Sequence, residues 1–209
     1  WVLSNLAGTL GFLCLGFRGF APDLLTVVTG NMLAVGTTAL ALEGNRSFLQ
    51  LKRKSVIPVT IMAVYAVTIV YQTYISASVT NRIITASIVS SVLTFLSYRA
   101  FTEKPGLMTN VVYRTVALTF LLFSGFMLLR MVASMTFPLF SHLYTPEWIQ
   151  TVSFMIFLVF ATVWTLNYVV LNSERLNEEL RAKENELLER ATTDFLTGVS
   201  NKRAFDEFA

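Results

Sequence analysis

Charge, cysteine and histidine are what this chain has least of. Charged residues make up 14% of its 209 positions and hydrophobic residues 54%. An ordinary soluble domain carries about 25% charged residues. Too few charges remain to coat a 23.4 kDa globule whose interior would have to hide this much apolar surface. The same composition excludes a disordered chain, a collagen and a disulfide scaffold. A single cysteine, Cys14, forms no internal disulfide. One cysteine and one histidine, His142, build neither a zinc site nor a bis-histidine haem pocket, and no catalytic triad follows from them. No internal repeat and no low-complexity segment is present. What remains is a membrane-embedded, all-α chain.

The few charges are unevenly placed. Residues 1–172 contain the acids Asp23, Glu43, Glu103 and Glu147, and the bases of this part sit mostly in short stretches between apolar runs. Residues 173–209 are densely charged. The pI of 9.1 therefore marks membrane topology and not nucleic-acid binding. A membrane-crossing helix needs roughly 20 apolar residues. The apolar runs predict a bundle of six transmembrane helices: 1–17, 24–42, 55–75, 79–98, 110–137 and 147–172. The chain opens at Trp1 inside an apolar run, so it is expected to be a piece of a longer protein, with seven helices if another precedes it. Helix starts are marked by Asp23 after Pro22, by Ser55, by Asn110 and by Thr145-Pro146-Glu147.

Lys and Arg alternate in density from loop to loop. Arg46, Lys52, Arg53 and Lys54 follow the second span, and Arg99, Lys104 and Arg114 surround the turn after the fourth. Arg18, Arg82 and the near-terminal Arg130 lie on the opposite side. Basic loops stay cytoplasmic. The expected topology is multi-pass, in a bacterial inner (cytoplasmic) membrane, with the C-terminus cytoplasmic and only short loops outside. Tyr71, Tyr74, Tyr144 and Trp148 fall where an outer aromatic belt would lie.

Ionisable groups within spans are functional candidates. Arg82 and Arg130, with His142, form a candidate basic pocket for an anionic ligand; the competing reading is that the arginines snorkel to the interface. Asn5, Asn31 and Asn167 are expected to bond across helices, and Gly8, Gly11, Gly16, Gly30 and Gly36 to allow close helix approach, as are Ser87, Ser90, Ser91 and Thr94.

The sixth span has no terminator. From Val169 the chain runs to Gly198 without glycine or proline, through a segment rich in Glu, Leu, Arg and Lys. Leu176, Leu180 and Leu187 recur near a 3.5-residue period. Residues 173–192 are read as a cytoplasmic signalling helix that pairs two copies as a parallel coiled coil, or else as a solvated helical linker.

After that helix stands Asp194-Phe195-Leu196-Thr197-Gly198-Val199-Ser200-Asn201-Lys202-Arg203. This resembles the opening of a GGDEF domain, the diguanylate cyclase family, which commonly begins Asp-x-Leu-Thr-Gly-Leu-x-Asn-Arg-Arg. Asp194, Leu196, Thr197, Gly198, Asn201 and Arg203 match, while Val199, Lys202 and Phe195 depart mildly. The residues alone read as helix, tight turn, helix, and no catalytic role falls to Asp194 or Asn201. The resemblance divides the chain into a sensor or anchor module (1–172), the signalling helix (173–192) and the start of a GGDEF domain (193–209). It implies a full-length enzyme that condenses two GTP into cyclic di-GMP with Mg2+. The family's catalytic motifs do not occur within residues 1–209, so these residues are not themselves catalytic. A small-molecule or membrane signal, the lipid bilayer and a second copy are the expected partners. Two other readings remain: a passive membrane anchor, and a transporter-like bundle with an appended tail. The transporter reading is disfavoured because no acid lies in mid-span.

Overall fold

The computed structural model describes residues 1–52, 54–104, 106–136 and 146–192. His142 and the whole GGDEF-like stretch 193–209 lie outside the described residues, as does Arg53. Among the described residues the regular structure is helical: α1 (Val2–Gly16), α2 (Gly30–Phe48), α3 (Val56–Tyr74), α4 (Val79–Thr102), α5 (Val111–Thr136) and α6 (Pro146–Thr192). A single π-helical segment, Leu24–Thr29, leads into α2, and a short 3-10 turn, Leu107–Thr109, precedes α5. The chain forms two units, Trp1–Asn167 and Tyr168–Ala209.

Five helices are long and apolar enough to cross a membrane. They occupy Leu24–Phe48, Val56–Tyr74, Val79–Thr102, Val111–Thr136 and the apolar part of α6 from Thr151. No more than 39% of the residues in any of these apolar stretches is buried inside the chain. Val59, Val67, Leu122 and Leu158 are each at least 64% exposed, a surface that water would not tolerate but lipid would. The expectation of six spans is thereby corrected to five. The 15 residues of α1 span about 22 Å, short of a hydrocarbon core of about 30 Å.

Helix starts follow the sequence cues in part. The Asn110 Oδ1 accepts from the Val112 N–H at 2.8 Å, and the Ser78 hydroxyl accepts from the Asn81 N–H at 3.2 Å. Ser55 caps no backbone group and instead donates to Glu43 Oε2 at 2.9 Å. Three of the basic residues assigned to loops are helical: Arg46 belongs to α2, Arg99 to the last turn of α4 and Arg114 to the first turn of α5.

Without water to drive helices together, lipid-embedded bundles associate through close packing and interhelical hydrogen bonds. Both operate here. On α2 and its lead-in, Val28, Val35 and Leu42 recur every seven residues and pack with Tyr65 and Ile69 of α3 and with Ala86 and Leu93 of α4. Small residues bring α4 and α5 together. Ser91 and Ser124 exchange hydroxyl-to-carbonyl bonds at 3.1 and 3.0 Å, with their hydroxyls 3.0 Å apart. On the other flank, a Cβ built on Gly11 of α1 would stand 2.7 Å from the Ala34 backbone nitrogen of α2. Asn5 bonds Thr165 and Asn167 bonds Thr119, so both amides cross between helices. Asn31 does not; its amide donates at 2.7 Å to Val27 O in its own helix.

At the end of the bundle where α2 and α4 finish, Arg46 is buried and fully partnered. Its Nη1 and Nη2 donate to Glu103 Oε1 and Oε2 at 3.0 and 3.2 Å, and its Nε and Nη2 donate to Lys52 O at 3.2 and 3.0 Å. One guanidinium thus ties the α2–α3 turn to the end of α4. The Arg46 hydrogen bonds, helped by the nearby Arg46, Lys54 and Arg99 charges and opposed by burial, hold the Glu103 carboxyl below the ordinary glutamate range. A depressed carboxylate stabilises the fold above the unfolded pKa of about 4.3, and that stabilisation is lost as pH falls through the lower folded value. Glu103→Gln is therefore expected to lower the thermal midpoint at pH 6–8. The gap from the unmodified protein should narrow below roughly pH 4, as the native carboxylate protonates too. A gap that stays constant down to pH 3 would show that the pair contributes no pH-linked stability.

Candidate functional site

The opposite end of the bundle gathers arginines without such partners. Here α1, α3 and α5 end while the π segment and α4 begin. Arg18 follows α1 in a tight turn completed by Gly19, whose φ of 90° suits a residue without Cβ. Arg82 lies in the first turn of α4, half-buried. Arg130 lies near the end of α5 and is only 8% exposed. All three line one cavity of about 30 Å³, with Asn31, Val27 and Ile83 among its other walls.

Arg130 turns inward. Its Nη1 donates to the Ser87 hydroxyl of α4 at 3.3 Å, and its guanidinium carbon lies 5.6 Å from the centre of the Phe157 ring. Its Nε is buried and has no hydrogen-bond partner among the described residues. The Tyr65 hydroxyl is likewise buried and unpartnered there. Its oxygen is within electrostatic reach of Arg130 and Arg82. Arg82 in turn senses the charges of Arg18 and Asp23. Among the described residues no carboxylate lies within 4 Å of any of the three guanidiniums.

The wall contributed by residues 24–29 is itself unusual. A π-helical turn is wider than an α-turn and leaves carbonyls poorly served, and such turns concentrate at functional sites. Here side chains add hydrogen bonds. The Thr29 hydroxyl donates to Leu24 O at 2.9 Å, Thr26 to Pro22 O at 3.2 Å, and the Asn31 amide to Val27 O. The widened turn sets Val27 and Asn31 against the arginines.

Arg82 and Arg130, singled out from sequence, are thus brought together; His142 lies outside the described residues. Arg18 completes the group. Its signal was legible, since it stands with Arg82 and Arg130 on the base-poor side of the loop alternation.

No protein-family model, curated protein or solved structure matches this chain. The site therefore has to be read from its own chemistry.

A second feature of the same unit was not legible. An apolar cleft of about 600 Å³ opens between α1, α2, α5 and the first part of α6. Its walls include Phe12, Phe123, Phe157 and Trp164, with Asn5 and Thr37 as polar points. Trp164 stacks on Phe120 at 5.1 Å and meets Phe123 edge-on at 4.8 Å. Residues dispersed over four helices build this cleft, and no local spacing announces it. Among the described residues no group of acids, His and Cys is arranged to hold a metal.

In the second unit, Leu176, Leu180 and Leu187 are 57%, 55% and 66% exposed. The pairs Arg175–Glu179 and Arg190–Glu186 bridge successive turns at 3.0 and 2.6 Å. Exposed pairs of this kind each contribute a few tenths of a kcal/mol to the helix (about 0.3–0.5).

Proposed function

We propose that this chain is the membrane signal-input and dimerisation module of a diguanylate cyclase in a bacterial inner membrane. The observation that carries the reading is α6, one uninterrupted 47-residue helix. At 1.5 Å per residue it is about 70 Å long, more than twice what a bilayer core requires. Its first half is apolar, and its second is charged with an exposed leucine stripe. It ends directly before the segment whose Asp194, Leu196, Thr197, Gly198, Asn201 and Arg203 resemble a GGDEF opening. A helix that begins among membrane spans and finishes at an output domain suits the passage of a signal. A leucine stripe left exposed among the described residues suits a second copy. In this reading the cyclase domain begins at residue 193, and two such domains, each with GTP and Mg2+, condense their substrates only when paired.

The test joins this chain to its complete cyclase domain in a host lacking other cyclases. Cyclic di-GMP should rise, and Leu180→Cys in a Cys14→Ser background should cross-link as a disulfide dimer in membranes. Absence of both products would exclude the reading.

Orientation is tested separately. Reporters inserted after Lys54 or Lys104 should behave as cytoplasmic, and those near residues 77 or 142 as external. The reverse pattern would place the α6 C-terminus outside, where no GTP is supplied.

A further inference from the structure

We infer that the cavity bounded by Arg18, Arg82 and Arg130 binds one small oxyanion, the carboxylate or phosphate group of a ligand whose remainder extends past Arg18. The site belongs to the bundle alone and does not need a cyclase to follow it.

A guanidinium buried at the edge of lipid is costly unless it is paired and its donors are used. This protein shows what satisfaction looks like: Arg46 makes four hydrogen bonds and holds a bidentate carboxylate. Arg130 is as deeply buried yet, among the described residues, makes one long bond to a hydroxyl, faces a ring, and leaves Nε without a partner. Two further guanidiniums share its cavity, so like charges are held together where repulsion is poorly screened. The missing element is an anion with several acceptor oxygens, which guanidiniums bind in forked geometry.

Size narrows the ligand. A cavity of about 30 Å³ accommodates two or three water-sized spheres, at roughly 10–15 Å³ each. That suits the oxygens of one carboxylate or the tip of a phosphate. The graded exposure of the arginines gives the direction of approach: Arg18 is exposed, Arg82 half-buried and Arg130 buried. An anion would pass Arg18, meet Arg82 and seat against Arg130, with the Tyr65 hydroxyl within electrostatic reach. Two sources supply this chemistry at a membrane surface, a soluble carboxylate or phosphate and the phosphodiester of an anionic lipid.

The experiment uses the protein in nanodiscs and follows thermal unfolding. In pure phosphatidylcholine, disodium succinate and potassium phosphate are titrated against KCl at matched ionic strength. A second preparation contains phosphatidylglycerol and no added anion. If a soluble anion is the ligand, the midpoint rises saturably in the first arm, by about 5–10 °C at a hundredfold excess over Kd. If a lipid phosphate is the ligand, the midpoint is already raised in phosphatidylglycerol, and soluble anions add nothing there. Arg130→Gln and Arg82→Gln should each abolish the rise, while Arg114→Gln, an exposed arginine at the other end of α5, should keep it. Arg82→Gln guards against a folding defect in the more buried variant. The inference is overturned if neither arm exceeds the KCl control, or if the Arg82 and Arg130 variants respond like the unmodified protein.

Discussion

Gly11→Leu is expected to pull α1 away from α2 and to lower the thermal midpoint by about 6–12 °C. A Cβ on Gly11 would lie 2.7 Å from Ala34 N and 3.1 Å from Gly30 O. Both neighbours are backbone, so no side chain can rotate aside, and the helices themselves must separate. Overpacking a close contact costs about 1–3 kcal/mol, and a backbone-on-backbone clash belongs at the upper end. For a chain of this length each kcal/mol moves the midpoint by about 2–4 °C. Gly16→Leu on the same helix is the matched control, because nothing lies within 4 Å of its built Cβ. Equal midpoints for the two variants, measured in one detergent or nanodisc, would show that α1 does not rely on close approach to α2.

The second large effect concerns the phase of α6. No glycine or proline interrupts the helix between Glu147 and Thr192, so nothing in its sequence is placed to absorb a rotation. Each inserted residue turns all that follows by about 100°, whereas seven residues leave a drift of only about 20°. If the proposed cyclase reading holds, one to three residues added between Arg181 and Glu186 should change basal cyclic di-GMP output sharply. A seven-residue insertion should largely preserve regulation. Output that declines smoothly with inserted length, or ignores it, would make the segment a passive tether and favour the anchor reading over signal input.

Much of the fold was legible because lipid imposes simple rules. The limits of α3, α4 and α5 lie within a few residues of those read from apolar run length, since a membrane helix must satisfy its backbone over a fixed thickness. The same rules misplaced Arg46. Its long side chain reaches Glu103 and Lys52, so a residue that looks like loop charge sits inside α2. The first expected span, 1–17, is an apolar helix of 15 residues, Val2–Gly16, and is not among the five helices long enough to cross a membrane. The arginine group was partly readable: Arg82 and Arg130 carry their charges into spans, where charge is expensive. Its depth was not readable. That depends on a serine at position 87 and a phenylalanine at position 157, brought up by two other helices. The widened turn at 24–29 left no mark in composition at all.

That turn gives the second helix an unequal tolerance to changes in length. A π-helical turn holds one residue more than the α-helical turn it replaces. Loss of a residue within Leu24–Thr29 can therefore be absorbed by tightening to an ordinary turn, and everything from Gly30 onward keeps its face toward α3 and α4. The same loss in mid-α2 would swing Leu42 and Arg46 out of the core. The slack is located beside the arginines and nowhere near Glu103. Shortening there would narrow the wall formed by Val27 and Asn31 while sparing the rest of the bundle, so the dimensions of this cavity can drift independently of the scaffold that carries it.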